Sequence, residues 1–224
     1  MTSRRALSAL LIVAGAALLG AVALHYLRGA RAQEEGANAL RRGIAGGYAT
    51  VSTKADSPPA RRDDLPRSGY GNPAANYPVG QPLGHLRIPS ARMDWVVFAG
   101  ADDATLEKGP GHVPGTAMPG QDGSYENCVI TAHRDAHFRH LGWLRKGHMI
   151  ELDTPSSGVR RYRVVSREIV TPKTVRVLAP SKTPRLTLIT CYPFTYIGPA
   201  PKRLVIVAEP VPSPRTRSAS ATTR

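Results

Sequence analysis

Between residues 83 and 209 short apolar, β-branched runs follow one another closely, each cut off by Pro, Gly or Asn, so no long helix fits there. Runs of this kind read as strands. They fall at 83–89, 94–98, 127–132, 148–152, 159–170, 186–190 and 202–208, with a turn at 155–158. One helical turn fits at 105–108 and a short helix at 137–144, while 109–115, with two prolines and three glycines, reads as loop. Many short strands at this spacing, with no internal repeat, argue for an all-β barrel or sandwich.

The flanks differ. Residues 6–27 carry no charge and lie between Arg4-Arg5 and Arg28. A helix of that length spans the ~30 Å core of a bilayer. Arginines before it favour an inside N-terminus and an exported C-terminal domain. Ala30-Arg31-Ala32 offers the competing reading, a cleaved signal peptide, but the apolar run is longer than a usual signal core. The segmentation is therefore 1–28 N-terminus and transmembrane anchor, 29–82 an extracytoplasmic stalk with a short helix-compatible piece at 32–42, 83–210 the all-β domain, and 211–224 a disordered tail rich in Pro, Ser, Thr and Arg. The formal net charge is +14. Residues 83–210 hold only +6 of it, from 17 basic and 11 acidic groups with no dense basic run, which argues against nucleic acid as a partner.

The chemistry gathers at strand ends. Leu186-Thr187-Leu188-Ile189-Thr190 runs straight into Cys191, and two prolines and a glycine follow within eight residues. A sheet can fix the backbone of such a residue while its side chain reaches the surface. A free cysteine is equally at home in a core, so the thiol needs company to count as a nucleophile. His133 ends the β-branched run 129–132, and Arg203 opens the run after the cysteine loop. Neighbouring strands would bring a thiol, an imidazole and a guanidinium together, which is what acyl transfer from an amide needs. Cys128 opens one strand and Cys191 closes another, so if the two strands are parallel neighbours the sulfurs lie at opposite ends, too far apart for a disulfide.

Thr187-Leu188-Ile189-Thr190-Cys191, Thr131-Ala132-His133 before it and Arg203 after it resemble the sortase family. The likeness extends through 109–120, Ala132-His133-Arg134-Asp135 and Cys191-Tyr192-Pro193-Phe194 to Lys202-Arg203, in the manner of class D sortases. The resemblance implies a closed eight-stranded β-barrel with short helices, and a cysteine transpeptidase tethered to the outer face of a cell membrane. Its partners would be exported proteins with a C-terminal Leu-Pro-x-Thr-Gly-like sorting signal and an amine acceptor of the cell envelope or a second protein. Cys191 would attack the carbonyl after the threonine, His133 would move protons at the amines, and Arg203 would hold substrate and stabilise the oxyanion. Ala132 and Thr190 would flank the groove, and Val175 and Leu178 would supply apolar contacts from the 171–184 connection. That connection lacks a carboxylate, so no calcium or other cofactor is expected. Two alternatives remain. His133, His137 and His140 mimic metal-ligand spacing, but they would need one continuous helix where a strand ends, and no zinc-protease carboxylate accompanies them. A degenerate, non-enzymatic binding barrel is the other, and the intact Cys-His-Arg set argues against it.

Overall fold

A computed structural model describes residues 2–45, 77–119 and 127–212. Eight strands close into one barrel: β1 (Pro82–Ile88), β2 (Met93–Ala99), β3 (Gly111–His112), β4 (Asn127–Thr131), β5 (Met149–Thr154), β6 (Gly158–Val170), β7 (Arg185–Tyr192) and β8 (Lys202–Pro210). Their order around it is β1-β2-β3-β4-β7-β8-β6-β5. The architecture is the closed all-β barrel, with helices confined to short pieces and one N-terminal apolar helix. β3 is the strand that apolar patterning does not reveal. Two residues between Pro110 and Pro114 carry no alternation, yet they bridge β2 in parallel and β4 antiparallel.

The interior follows from side-chain alternation. Leu186 and Leu188 of β7, Leu204 and Ile206 of β8, Ile130 of β4, and Leu86 and Ile88 of β1 are all fully buried in one cluster. The residues beside them face outward, and on β4, β7 and β8 several of these too are apolar. Val129, Ile189 and Val205 form a second cluster, with Val113, Val170 and Val177 packed against it. β4 and β7 are thus covered on both faces, as a parallel pair must be, which is why they read as continuous apolar runs. Short helices fill the rest. α2 (Asp103–Lys108) is capped by Asp102, which accepts from the Thr105 amide at 3.1 Å and its hydroxyl at 2.7 Å. Turns and a 3-10 helix, Leu141–Trp143, occupy the region expected to hold a short helix at 137–144.

The N-terminal helix departs most from expectation. α1 (Thr2–Ala45) does not stop at Arg28. Its last turns lie on the barrel, so the first part of the expected stalk is a docked helix; the expected linker at 46–76 falls outside the described residues, as does the tail from 213. Gly29, Gln33, Gly36, Ala37 and Leu40 share one helical face. Leu40 is buried with Val96 and Phe98 of β2, and Ala37 packs on them. A Cβ at Gly36 would stand 3.0 Å from Val96 Cγ1 and 3.1 Å from the Phe98 ring, so any side chain there would have to push these two back. β3 pairs only with Phe98 and Ala99, which leaves the Val96 backbone without a strand partner on that side. The Gln33 carboxamide takes the place of one: Oε1 accepts from Val96 N at 2.7 Å, and Nε2 donates to Val96 O at 3.2 Å and Lys108 O at 2.7 Å. Toward the other end, Leu10, Leu11, Ile12, Val13, Leu18 and Leu19 are all exposed. The segment Leu10–Gly43 is long and apolar enough to cross a membrane by length and composition.

Candidate active site

Registers bring the three chemical side chains to one rim of the barrel. β4 and β7 run parallel with Thr131 beside Ile189, and Thr131 Oγ1 and the Ala132 amide both donate to Ile189 O, at 3.1 and 3.4 Å. Two residues beyond that pair, His133 and Cys191 come level. β8 runs antiparallel to β7 with Arg203 directly across from Cys191. Alternation puts Ile189 and Cys191 on the same outer face, so the thiol continues the face on which Val129, Ile189 and Val205 cluster. Cys191 and His133 are half-buried. Cys128 pairs with Leu186, five residues back along β7, so roughly 16 Å of strand separates the sulfurs. Both thiols are free, and burial pushes the Cys128 thiol far up.

Ala132 and Thr190, expected to flank a groove, are buried to 4% and 1% relative exposure. The Thr190 hydroxyl donates to Ala132 O at 2.7 Å. This bond ties the chain just past β4 to β7 one residue before His133 and Cys191; neither side chain offers a surface. Val175 and Leu178 belong to a 3-10 helix, Val175–Leu178, on the outer face of the barrel, where Val177 packs on Val129, Ile189 and Val205; they are 73% and 38% exposed. Asn127 anchors this wall. Its Nδ2 donates to Val177 O at 3.0 Å and Ala179 O at 2.9 Å, and its Oδ1 accepts from Thr187 Oγ1 at 2.6 Å.

The loop 193–201 forms the opposite side. Phe194 packs on Gly142, where an added Cβ would come within 2.7 Å of the ring. Arg134, next to His133, donates from Nη2 to Tyr196 O at 2.5 Å and Gly198 O at 3.0 Å, and its guanidinium lies 6.0 Å from the Tyr196 ring centroid. Arg203 Nη1 donates to Ala200 O at 3.1 Å and Lys202 O at 2.9 Å, so the loop's own backbone holds that guanidinium. Ile197 at the tip is 96% exposed.

Behind His133, His137 meets the Trp95 indole edge-on with ring centroids 4.9 Å apart. Burial, and secondarily the nearness of His133, lowers the His137 pKa to about 4, which keeps this second imidazole neutral. His140 instead stacks on Trp143 at 4.2 Å. His137 and His140 of the metal alternative thus engage different aromatic partners, and no cluster of three His, Cys, Asp or Glu side chains able to hold a metal occurs among the described residues.

With that geometry in view, comparison with known proteins decides the family. The Sortase domain model matches residues 86–211, over half of the chain. The chain belongs to the sortase family. It is 36% identical over 134 residues to Sortase D of Bacillus subtilis, a match covering 59% of this chain and 66% of that protein, just under two thirds of its length. The fold agrees with the sortase C structure of Clostridium perfringens SM101 at a TM-score of 0.55 and 28% identity, over 62% of this chain and 74% of that one. A second Clostridium perfringens sortase C structure, with the C-terminal cell wall sorting motif, matches at a TM-score of 0.55 and 27% identity, over 62% and 75%.

Proposed function

We propose that this sortase is a membrane-anchored cysteine transpeptidase that cuts a Leu-Pro-x-Thr-Gly-like signal after its threonine and passes the acyl group to an amine of the cell envelope. The observation that supports this reading is the register of β4, β7 and β8, which pairs Cys191 with Arg203 and ends β4, beside Ile189, two residues before His133. Cys191 Sγ attacks the threonine carbonyl, and the tetrahedral oxyanion forms beside the Arg203 guanidinium, which stays protonated throughout. His133 gives a proton to the departing amine as the C–N bond breaks, leaving a thioester on Cys191. The incoming amine loses a proton to His133 as it attacks, the C–S bond of the thioester breaks, and Cys191 leaves as the thiolate beside the reprotonated imidazole. Val175 and Leu178 supply apolar surface to the signal. The solved sortase C with a sorting motif makes a C-terminal peptide signal the natural occupant of the rim. α1 serves as a single-pass anchor with the barrel outside, since its exposed leucines and valines need an apolar surround and Arg4 and Arg5 favour an inside N-terminus.

The test gives the full chain in detergent a Leu-Pro-x-Thr-Gly peptide library with hydroxylamine as acceptor, and reads threonine hydroxamate by mass spectrometry. Wild type should yield it, and Cys191→Ala should yield none. His133→Ala and Arg203→Ala should each lose at least a hundredfold in kcat/KM, the range set by removing an acid–base group or an oxyanion donor. An unreactive, inaccessible Cys191 together with no product from any peptide would return the chain to a binding barrel.

A further inference from the structure

We propose that Arg134 is a positioning residue of this site: its guanidinium binds the loop between Cys191 and Arg203 to the segment that carries His133. The inference rests on the roles given above to those three residues. The loop 193–201 leaves the barrel directly after the nucleophile and returns directly at Arg203, so its placement sets how Arg203 meets the reacting carbonyl. Its backbone makes little of its own structure; Tyr196 N reaches Pro193 O only at 3.4 Å. What holds it comes from the 132–144 segment at two points. Near the start, Phe194 lies in the space left by Gly142 and meets Tyr192 edge-on at 6.0 Å. Farther out, a single Arg134 nitrogen takes both the Tyr196 and the Gly198 carbonyl.

A guanidinium suits that task as an ammonium does not. It is planar, keeps its charge, and presents fixed N–H directions to two carbonyls while its central carbon lies over the Tyr196 ring. The linkage then continues through backbone. Gly198 is two residues from Ala200, whose carbonyl accepts from Arg203 Nη1. Arg134 beside the proton carrier thus fixes the frame of the oxyanion donor. The side chain touches no reacting atom; it acts through the loop. A misplacement of about 1 Å at such a site costs on the order of a hundredfold in rate.

The experiment compares wild type with Arg134→Ala and Arg134→Lys, using the full chain in detergent, and Arg139→Ala as an exposed neighbouring control. Hydrogen exchange is measured first because it needs no substrate. In Arg134→Ala, exchange should rise at residues 195–203 and stay unchanged in β1 and β5, with no change in Tm. Hydroxamate formation from a Leu-Pro-Glu-Thr-Gly peptide should then show kcat reduced at least tenfold with little change in KM, since the donor is mispositioned in the transition state rather than in binding. Arg134→Lys should behave like Arg134→Ala, and low millimolar guanidinium should restore part of the rate to Arg134→Ala and none to wild type. Normal loop exchange in Arg134→Ala, full turnover in Arg134→Lys, or a rate loss accompanied by exchange throughout the barrel would each overturn the proposal. If wild type makes no hydroxamate, the transpeptidase reading fails, while exchange at 195–203 still decides whether Arg134 holds the loop.

Discussion

Burial keeps the His137 imidazole neutral, and that neutrality has a cost in acid. Its folded pKa lies at about 4 against 6.5 when unconstrained, so between these values the unfolded chain binds the extra proton. Stability contributed by this group is complete above about pH 6.5 and drains away as the pH falls toward 4. Replacing it by an aromatic ring without a titratable nitrogen, His137→Phe, should flatten the dependence of urea midpoint on pH across that window; an unchanged slope would rule His137 out as its source. Asn127 carries a different kind of load. Asn127→Ala strands the Val177 and Ala179 carbonyls and the Thr187 hydroxyl. It should lower stability by about 1–3 kcal/mol. With the Val175–Leu178 wall loosened, KM for a peptide should rise more than kcat falls. The residues at strand ends were legible from the chain because a reactive side chain after an apolar run is a local pattern. Asn127 and His137 were not, because each acts through a partner far away in sequence, Val177 for one and Trp95 for the other.

Among the elements, the strands announced themselves by alternation and β-branching wherever they exceeded a few residues. β3 escaped because its two residues are defined wholly by the strands beside it. The docked part of α1 escaped for a related reason. Its contact face is made of Gly29, Gln33, Gly36, Ala37 and Leu40, a small-residue stripe that carries almost no apolar periodicity. Its binding partner is an unpaired stretch of β2 that no local pattern discloses. Close approach and the carboxamide of Gln33 do what a broad apolar face does elsewhere. Gly36→Leu should therefore force the helix off Val96 and Phe98, at about 1–3 kcal/mol for an overpacked contact. Amide exchange at Val96 in the full chain should rise sharply while β7 and β8 stay protected. Unchanged exchange at Val96 would mean the helix does not rest there in solution.

At the scale of the whole molecule, the barrel's order and the site's register are consequences of one parallel pair, β4 with β7, inserted in an otherwise largely antiparallel closure. Parallel pairing sends both strand tips to the same end of the barrel, and the crossover that it requires, from 132 to 184, includes the 171–184 connection that carries one wall. The same registers place the docked helix. Phe98 lies beside Gly111 and Gly111 beside Thr131, so Val96 stands at the height of residue 133. Gln33, which grips Val96, lies six residues past Leu27, the end of the apolar run, or about 9 Å along the axis. For a chain anchored as proposed, the catalytic head cannot wander on a leash. Such an anchor would make it turn like a vane on a short mast, sweeping a narrow ring just above the lipid.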